Sequence, residues 1–148
     1  MRTSEFVYVT YIKTTPEKVW NAMTDPEMTK QYRFGTHAES DWKAGSPWRM
    51  IGGDGQTLDS GEIVESHPPH RLVIKWRNEW RPEFRAEGYS RCTFEIEPEG
   101  NATKLTVRHV MDKTPSPFIE AVADGWSRTL SNLKSLLETG TVVLEGTR

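Results

Sequence analysis

Four histidines and one cysteine are the side chains of this sequence best suited to metal ligation or nucleophilic catalysis, and their spacing favours neither. His37, His67, His70 and His109 are scattered, and the one close pair, His67 and His70, brackets two prolines, so no ligand set converges and no metal is expected. Cys92 falls in an alternating segment, where a thiol is usually buried and inert, and no G-x-S-x-G stretch supplies a serine nucleophile. Gly52, Gly53 and Gly55 lack the following Lys-Ser or Lys-Thr of a phosphate loop and read as hairpin residues. No catalytic residue and no cofactor are therefore assigned.

His109 is the one titratable group aimed at the interior. In LTVRHVM, alternation puts Leu105, Val107, His109 and Met111 on one side of a strand. Acid–base catalysis would need a second group, for which Glu62 and Glu39 are the candidates; a histidine that lines the interior, one ring nitrogen bonded to a neighbour, is the commoner case. The aromatic residues say more. Of six tryptophans, Trp48, Trp76 and Trp126 fall on inward faces, where they would either line a pocket for a flat apolar ligand or fill the core. The pocket candidates are Trp48, Met50, Ile74, Trp76, Phe94, His109, Met111, Trp126 and Leu130, and a ligand site there should enclose roughly 300 Å³ or more beneath the last helix. Arg77 to Arg85 mixes arginines with Trp80 and Phe84 in a hairpin loop, a composition found at interfaces as well as in solvated loops.

These side chains need elements to hold them. From Pro117 to Glu138 the residues Ile119, Val122, Trp126, Leu130, Leu133 and Leu137 recur every three or four positions, the stripe of a long amphipathic helix that Gly140 closes. Glu5 to Lys13 reads as a first strand, expected in mid-sheet. Thr15-Pro16 and Asp25-Pro26 open two short helices, the second running to about Tyr32 and ending near Gly35. Further strands follow: HAESDW, PWRMIG, TLDSGEIVESH, Arg71 to Asn78, Gly88 to Glu97 and Thr103 to Met111, with a turn over Pro98 to Asn101. The expected fold is α+β, a curved antiparallel sheet of six or seven strands around a long C-terminal helix, over residues 1–140, with 141–148 a loosely held tail.

Length and charge narrow the function classes. A chain of 148 residues buries roughly 68–70% of its unfolded surface, enough for one core without disulfides or metal. With 19 basic against 21 acidic residues and no run of like charge, neither nucleic acid nor an anionic membrane is an expected partner. The start MRTSEFVYVT lacks a basic and then apolar leader, so a cytoplasmic protein is expected, monomer or homodimer.

Four segments carry a family likeness: PEKVWNAMTDPE (Pro16–Glu27), SDWKAGSPW (Ser40–Trp48), SGEIVESHPPHRLVIKW (Ser60–Trp76) and GWSRTLSNLKSLLE (Gly125–Glu138). Together they resemble the activator of 90-kDa heat-shock protein ATPase homologue family, a branch of the START-like, or SRPBCC, superfamily. The resemblance implies a helix-grip fold with a hydrophobic pocket between sheet and helix. It places Trp20, Gly45, Gly61, Pro68-Pro69 and Gly125-Trp126 at packing positions, none of them a nucleophile or base. The expected function is non-catalytic binding of a small hydrophobic or aromatic molecule. The resemblance also implies two alternatives: a co-chaperone domain, acting on a chaperone protein through exposed groups such as Trp80 and Phe84, and a polyketide cyclase or dehydratase-like enzyme built on His109.

Overall fold

The computed structural model describes residues 3–145. The chain runs β1 (Ser4–Ile12), α1 (Pro16–Thr24), α2 (Pro26–Tyr32), β2 (His37–Ser40), β3 (Pro47–Ile51), β4 (Thr57–His67), β5 (Arg71–Asn78), α3 (Pro82–Arg85), β6 (Ser90–Glu99), β7 (Ala102–Met111) and α4 (Pro117–Thr139). All seven strands form one antiparallel sheet in the order β1-β7-β6-β5-β4-β3-β2. This is the helix-grip arrangement: the sheet curves round α4, and the short helices follow the first strand.

The first strand is an edge strand and does not run in mid-sheet. Among the described residues its only partner is β7, because the α1–α2 elbow carries the chain from β1 to the opposite margin, where β2 begins. Its aromatic and β-branched composition does not require two neighbours: Phe6 and Tyr8 pack inward, while Val7, Val9 and Tyr11 stay exposed. Trp42, at a positive φ of 59°, ends the HAESDW segment, which pairs only as far as Ser40. The β6–β7 turn tightens to Gly100-Asn101, since Pro98 and Glu99 still pair with Thr103 and Ala102. Between β5 and β6, where a hairpin loop is expected, the chain forms the one-turn helix α3, opened by Pro82 at its first position.

The helix caps follow from local sequence. Thr15, Asp25 and Ser116 each accept a backbone N–H at the start of α1, α2 and α4. Glu87 reinforces the last of these: its carboxylate accepts the Ser116 hydroxyl at 2.6 Å and the Phe118 N–H at 2.9 Å. Gly140 closes α4 at a φ of 87° and donates to the Leu136 carbonyl. Beyond it, buried Asn132 holds Leu144 by two bonds, its amide donating to the carbonyl and its oxygen accepting from the N–H. Residues 146–148 of the tail lie outside the described residues.

The core sits between the concave face of the sheet and α4. Along α4, Ile119, Trp126, Leu130 and Leu133 are buried as their spacing implies, with Val122 and Leu137 packed at the margin. Gly61 is placed between Trp48 and Trp76 in the register of three adjacent strands. Having no side chain, it lets the two indoles meet across it at 4.4 Å between ring centroids.

Candidate functional site

Alternation on β3, β5, β6 and β7 and the phase of α4 bring most of the expected site residues into one aromatic cluster. Trp76 is its hub: its ring centroid lies 4.4 Å from Trp48, 5.2 Å from His109 and 5.8 Å from Trp126. Phe94 meets Trp126 edge to face at 5.7 Å, and Phe118, from the first turn of α4, stands 5.4 Å from His109. Edge-to-face contacts of this kind contribute about 0.5–1.5 kcal/mol each beyond area burial.

His109 is fully buried and both of its ring nitrogens are engaged. The Trp126 indole can only donate, so its N–H to Nδ1 bond of 3.1 Å makes Nδ1 an acceptor and leaves the proton on Nε2. Nε2–H then donates to the Ser90 hydroxyl at 2.7 Å, and that hydroxyl donates to the Trp76 carbonyl at 3.0 Å. Burial first, and the positive charge of Arg33 second, push the imidazole down to about 3. The ring is therefore neutral at physiological pH and has no free lone pair. Neither carboxylate proposed as its partner reaches it: Glu39 faces His37 and Arg49, and Glu62 is exposed.

This has a consequence for stability. A histidine whose folded value is depressed from 6.5 binds fewer protons folded than unfolded, so its contribution is complete above pH 6.5 and is lost as pH falls toward 3. Glu79 is held down to about 2 from 4.5, chiefly by its bond to Arg77, and its contribution is lost only below 4.5. Between pH 6.5 and 4.5 the fall in unfolding free energy should therefore belong mainly to His109. Chemical denaturation across that window should show His109→Asn with a flatter profile than the parent; parallel profiles would show that the ring titrates normally.

One recess lies under the α1–α2 elbow, with no α4 residue in its lining. Trp48, Met50, Ile74, Trp76 and Phe94, turned inward by alternation, line it together with Met23, Tyr32, Arg33 and Trp42, which are not among the pocket candidates. His109 and Trp126 stand behind Trp76, and Met111 and Leu130 are buried in the core away from the recess. The enclosed volume is about 20 Å³, against the roughly 300 Å³ expected. That is room for about one water molecule, because the indoles pack on one another instead of standing apart. Among the described residues one buried side-chain polar atom has no partner, the Trp76 indole N–H.

The basic, aromatic loop after β5 is cross-braced. Glu79 accepts from Arg77 at 2.6 Å, Ser60 at 2.7 Å and Arg85 at 3.1 Å. Phe84, expected on the surface, is buried against Phe118, because α3 turns it inward; Trp80 remains 53% exposed. An open hollow of about 290 Å³ on the outer face of β3–β5 has its cations engaged, Lys75 over Tyr89 and Arg49 with Glu39. Among the described residues no three His, Cys, Asp or Glu converge as a metal site, and no helix is long and apolar enough to cross a membrane.

Comparison with known proteins agrees with this architecture. The family model described as "Activator of Hsp90 ATPase homolog 1-like protein" matches residues 13–138. The chain belongs to that family. All four resemblance segments lie within the matched region, and the family's fold recurs in solved structures. An HSP90 activator from Plasmodium falciparum is 27% identical over 90% of this chain and 95% of its own, with a TM-score of 0.73. CalU16 from Micromonospora echinospora is 24% identical over 92% and 77%, with a TM-score of 0.72. The Aha1 dimer from Colwellia psychrerythraea is 18% identical over 93% and 98%, with a TM-score of 0.74. No curated protein gives a significant sequence match.

Proposed function

We propose that this member of the family binds a small hydrophobic or aromatic molecule, without transforming it, in the recess under the α1–α2 elbow. The lining carries the reading: the flat side chains of Trp42, Trp48, Trp76 and Phe94 share one recess with unbranched Met23 and Met50. Flat apolar walls suit a ring, and methionines repack readily round different shapes. Binding is favoured over turnover because His109, the histidine within the aromatic cluster, is neutral with both nitrogens occupied. At about 20 Å³ the recess is too small for such a molecule, so this reading requires it to open. Uptake requires the seven-residue helix α2 to lift, and the positive-φ pair Phe34-Gly35 that follows it is the natural hinge.

A second reading has its own support. Trp80 stands 53% exposed beside Arg81 in a braced loop, and tryptophan and arginine are the residues enriched at binding hot spots. The 27% identity to an HSP90 activator suggests a chaperone as the partner of such a surface. One titration separates the two. The neutral dye N-phenyl-1-naphthylamine should gain emission with the folded protein and quench its tryptophans. No gain in emission would sink the ligand reading. Stimulated ATP hydrolysis by a 90-kDa chaperone, abolished in Trp80→Ala, would then put the co-chaperone reading in its place.

A further inference from the structure

We infer that the recess takes an anionic aromatic molecule, an aryl carboxylate, with Arg33 receiving its charge; this rests on the ligand binding proposed above. Arg33 is half-buried at the lip of the recess, its guanidinium carbon 4.9 Å from the Trp126 ring, 5.9 Å from Trp76 and 6.0 Å from Tyr32. Seven of the nine described arginines have a carboxylate within 4 Å. Of the other two, Arg91 lies on the exposed face of β6, so Arg33 is the partly buried one with no acidic partner among the described residues. Its charge reaches the core: burial chiefly holds His109 neutral and raises Cys92, and the Arg33 charge adds to the first effect and partly opposes the second.

The Arg33 guanidinium is stabilised by indole faces and hydrogen-bonded to the Tyr32 hydroxyl, but no carboxylate matches its fork of N–H donors. The second observation points the same way. The buried Trp76 N–H, on a ring that Arg33 overlies, is a donor with no acceptor. An unpartnered indole N–H and a guanidinium with no carboxylate, in one recess bounded by aromatic walls, are complementary to a planar anion attached to a ring. A carboxylate can bridge both, taking a paired bond from the guanidinium and presenting its ring to Trp48 and Phe94. A neutral ring would satisfy the walls but leave the Trp76 N–H unmet and the Arg33 charge without a counter-ion, which costs affinity.

The probes are 2-naphthoate and its methyl ester, which share one ring system and differ in charge. Isothermal titration at neutral pH should show the acid binding about tenfold or more tighter than the ester, the range of a charge-assisted bond. Arg33→Gln should collapse that ratio toward one, and Trp76→Phe, which keeps a ring but removes the N–H, should reduce it. Circular dichroism confirms that each variant is folded, and the parent's own ratio stands even if one is not. Equal affinity of parent protein for acid and ester overturns this inference and leaves the binding proposal intact. A preference for the acid that survives in folded Arg33→Gln overturns it too. Binding of neither compound, in a protein that also fails to bind the neutral dye, overturns both.

Discussion

Trp126→Ala should lower the unfolding free energy by about 4 kcal/mol or more, a large part of the roughly 5–15 kcal/mol typical of a domain. Two losses combine. The first is volume: Trp126 is 4% exposed and its indole contacts Trp76, Phe94 and His109, so truncation leaves a hole where the sheet meets α4. Truncating a buried tryptophan costs about 3–5 kcal/mol on this account alone. The second is the bond from its N–H to His109 Nδ1, whose loss leaves an acceptor buried without a partner, at about 1–3 kcal/mol. Trp126→Phe separates them, since it keeps a ring over the cluster but removes the donor. Guanidinium denaturation followed by far-ultraviolet circular dichroism measures both variants. A loss under about 1 kcal/mol for the alanine variant would mean that Trp126 is not the anchor of α4.

That anchor was legible because a helix writes its buried face into the sequence every three or four residues. The same holds for β5, where Leu72, Ile74 and Trp76 share the inward face, and for His109 on β7, which alternation alone turned inward. What alternation cannot give is the neighbour across a gap in sequence. Ser90 and Trp126 hold His109 from 19 and 17 positions away, on another strand and on a helix, and the carboxylates suggested instead lie on strands β2 and β4. Strand order is equally non-local, so the composition of β1 could not show that it lies at an edge. The volume of the interior was hidden for a related reason. Inward direction says which indoles converge, whereas whether they leave a space depends on the distance between strands and on their rotamers. Arg33 carried no signal at all: it follows the end of a seven-residue helix, outside any periodic pattern, and matters only because the elbow folds back over the sheet.

Gly61→Ala should cost about 2–3 kcal/mol, at the upper end of ordinary overpacking, despite adding a single methyl group to a strand. The backbone of Gly61 does not have a positive φ, so conformational freedom is not the reason for glycine here. Space is. A Cβ built on Gly61 would stand 1.6 Å from the Lys75 carbonyl oxygen and 2.7 Å from its carbon, both backbone atoms of β5 that cannot rotate away. Alanine therefore forces β4 and β5 apart where they pair at Gly61 and Trp76, next to the register shift between Ile63 and Glu65. Separation there also parts Trp48 from Trp76, so the packing of the recess loosens with the ladder. The folded variant should combine a lower denaturation midpoint with a changed near-ultraviolet tryptophan spectrum, the mark of altered indole packing. As a control, Gly53→Ala adds the same methyl in the β3–β4 hairpin, where the nearest atom is 4.0 Å away, and should cost well under 1 kcal/mol. Equal destabilisation by the two substitutions would show that Gly61 is not where the strands close on each other.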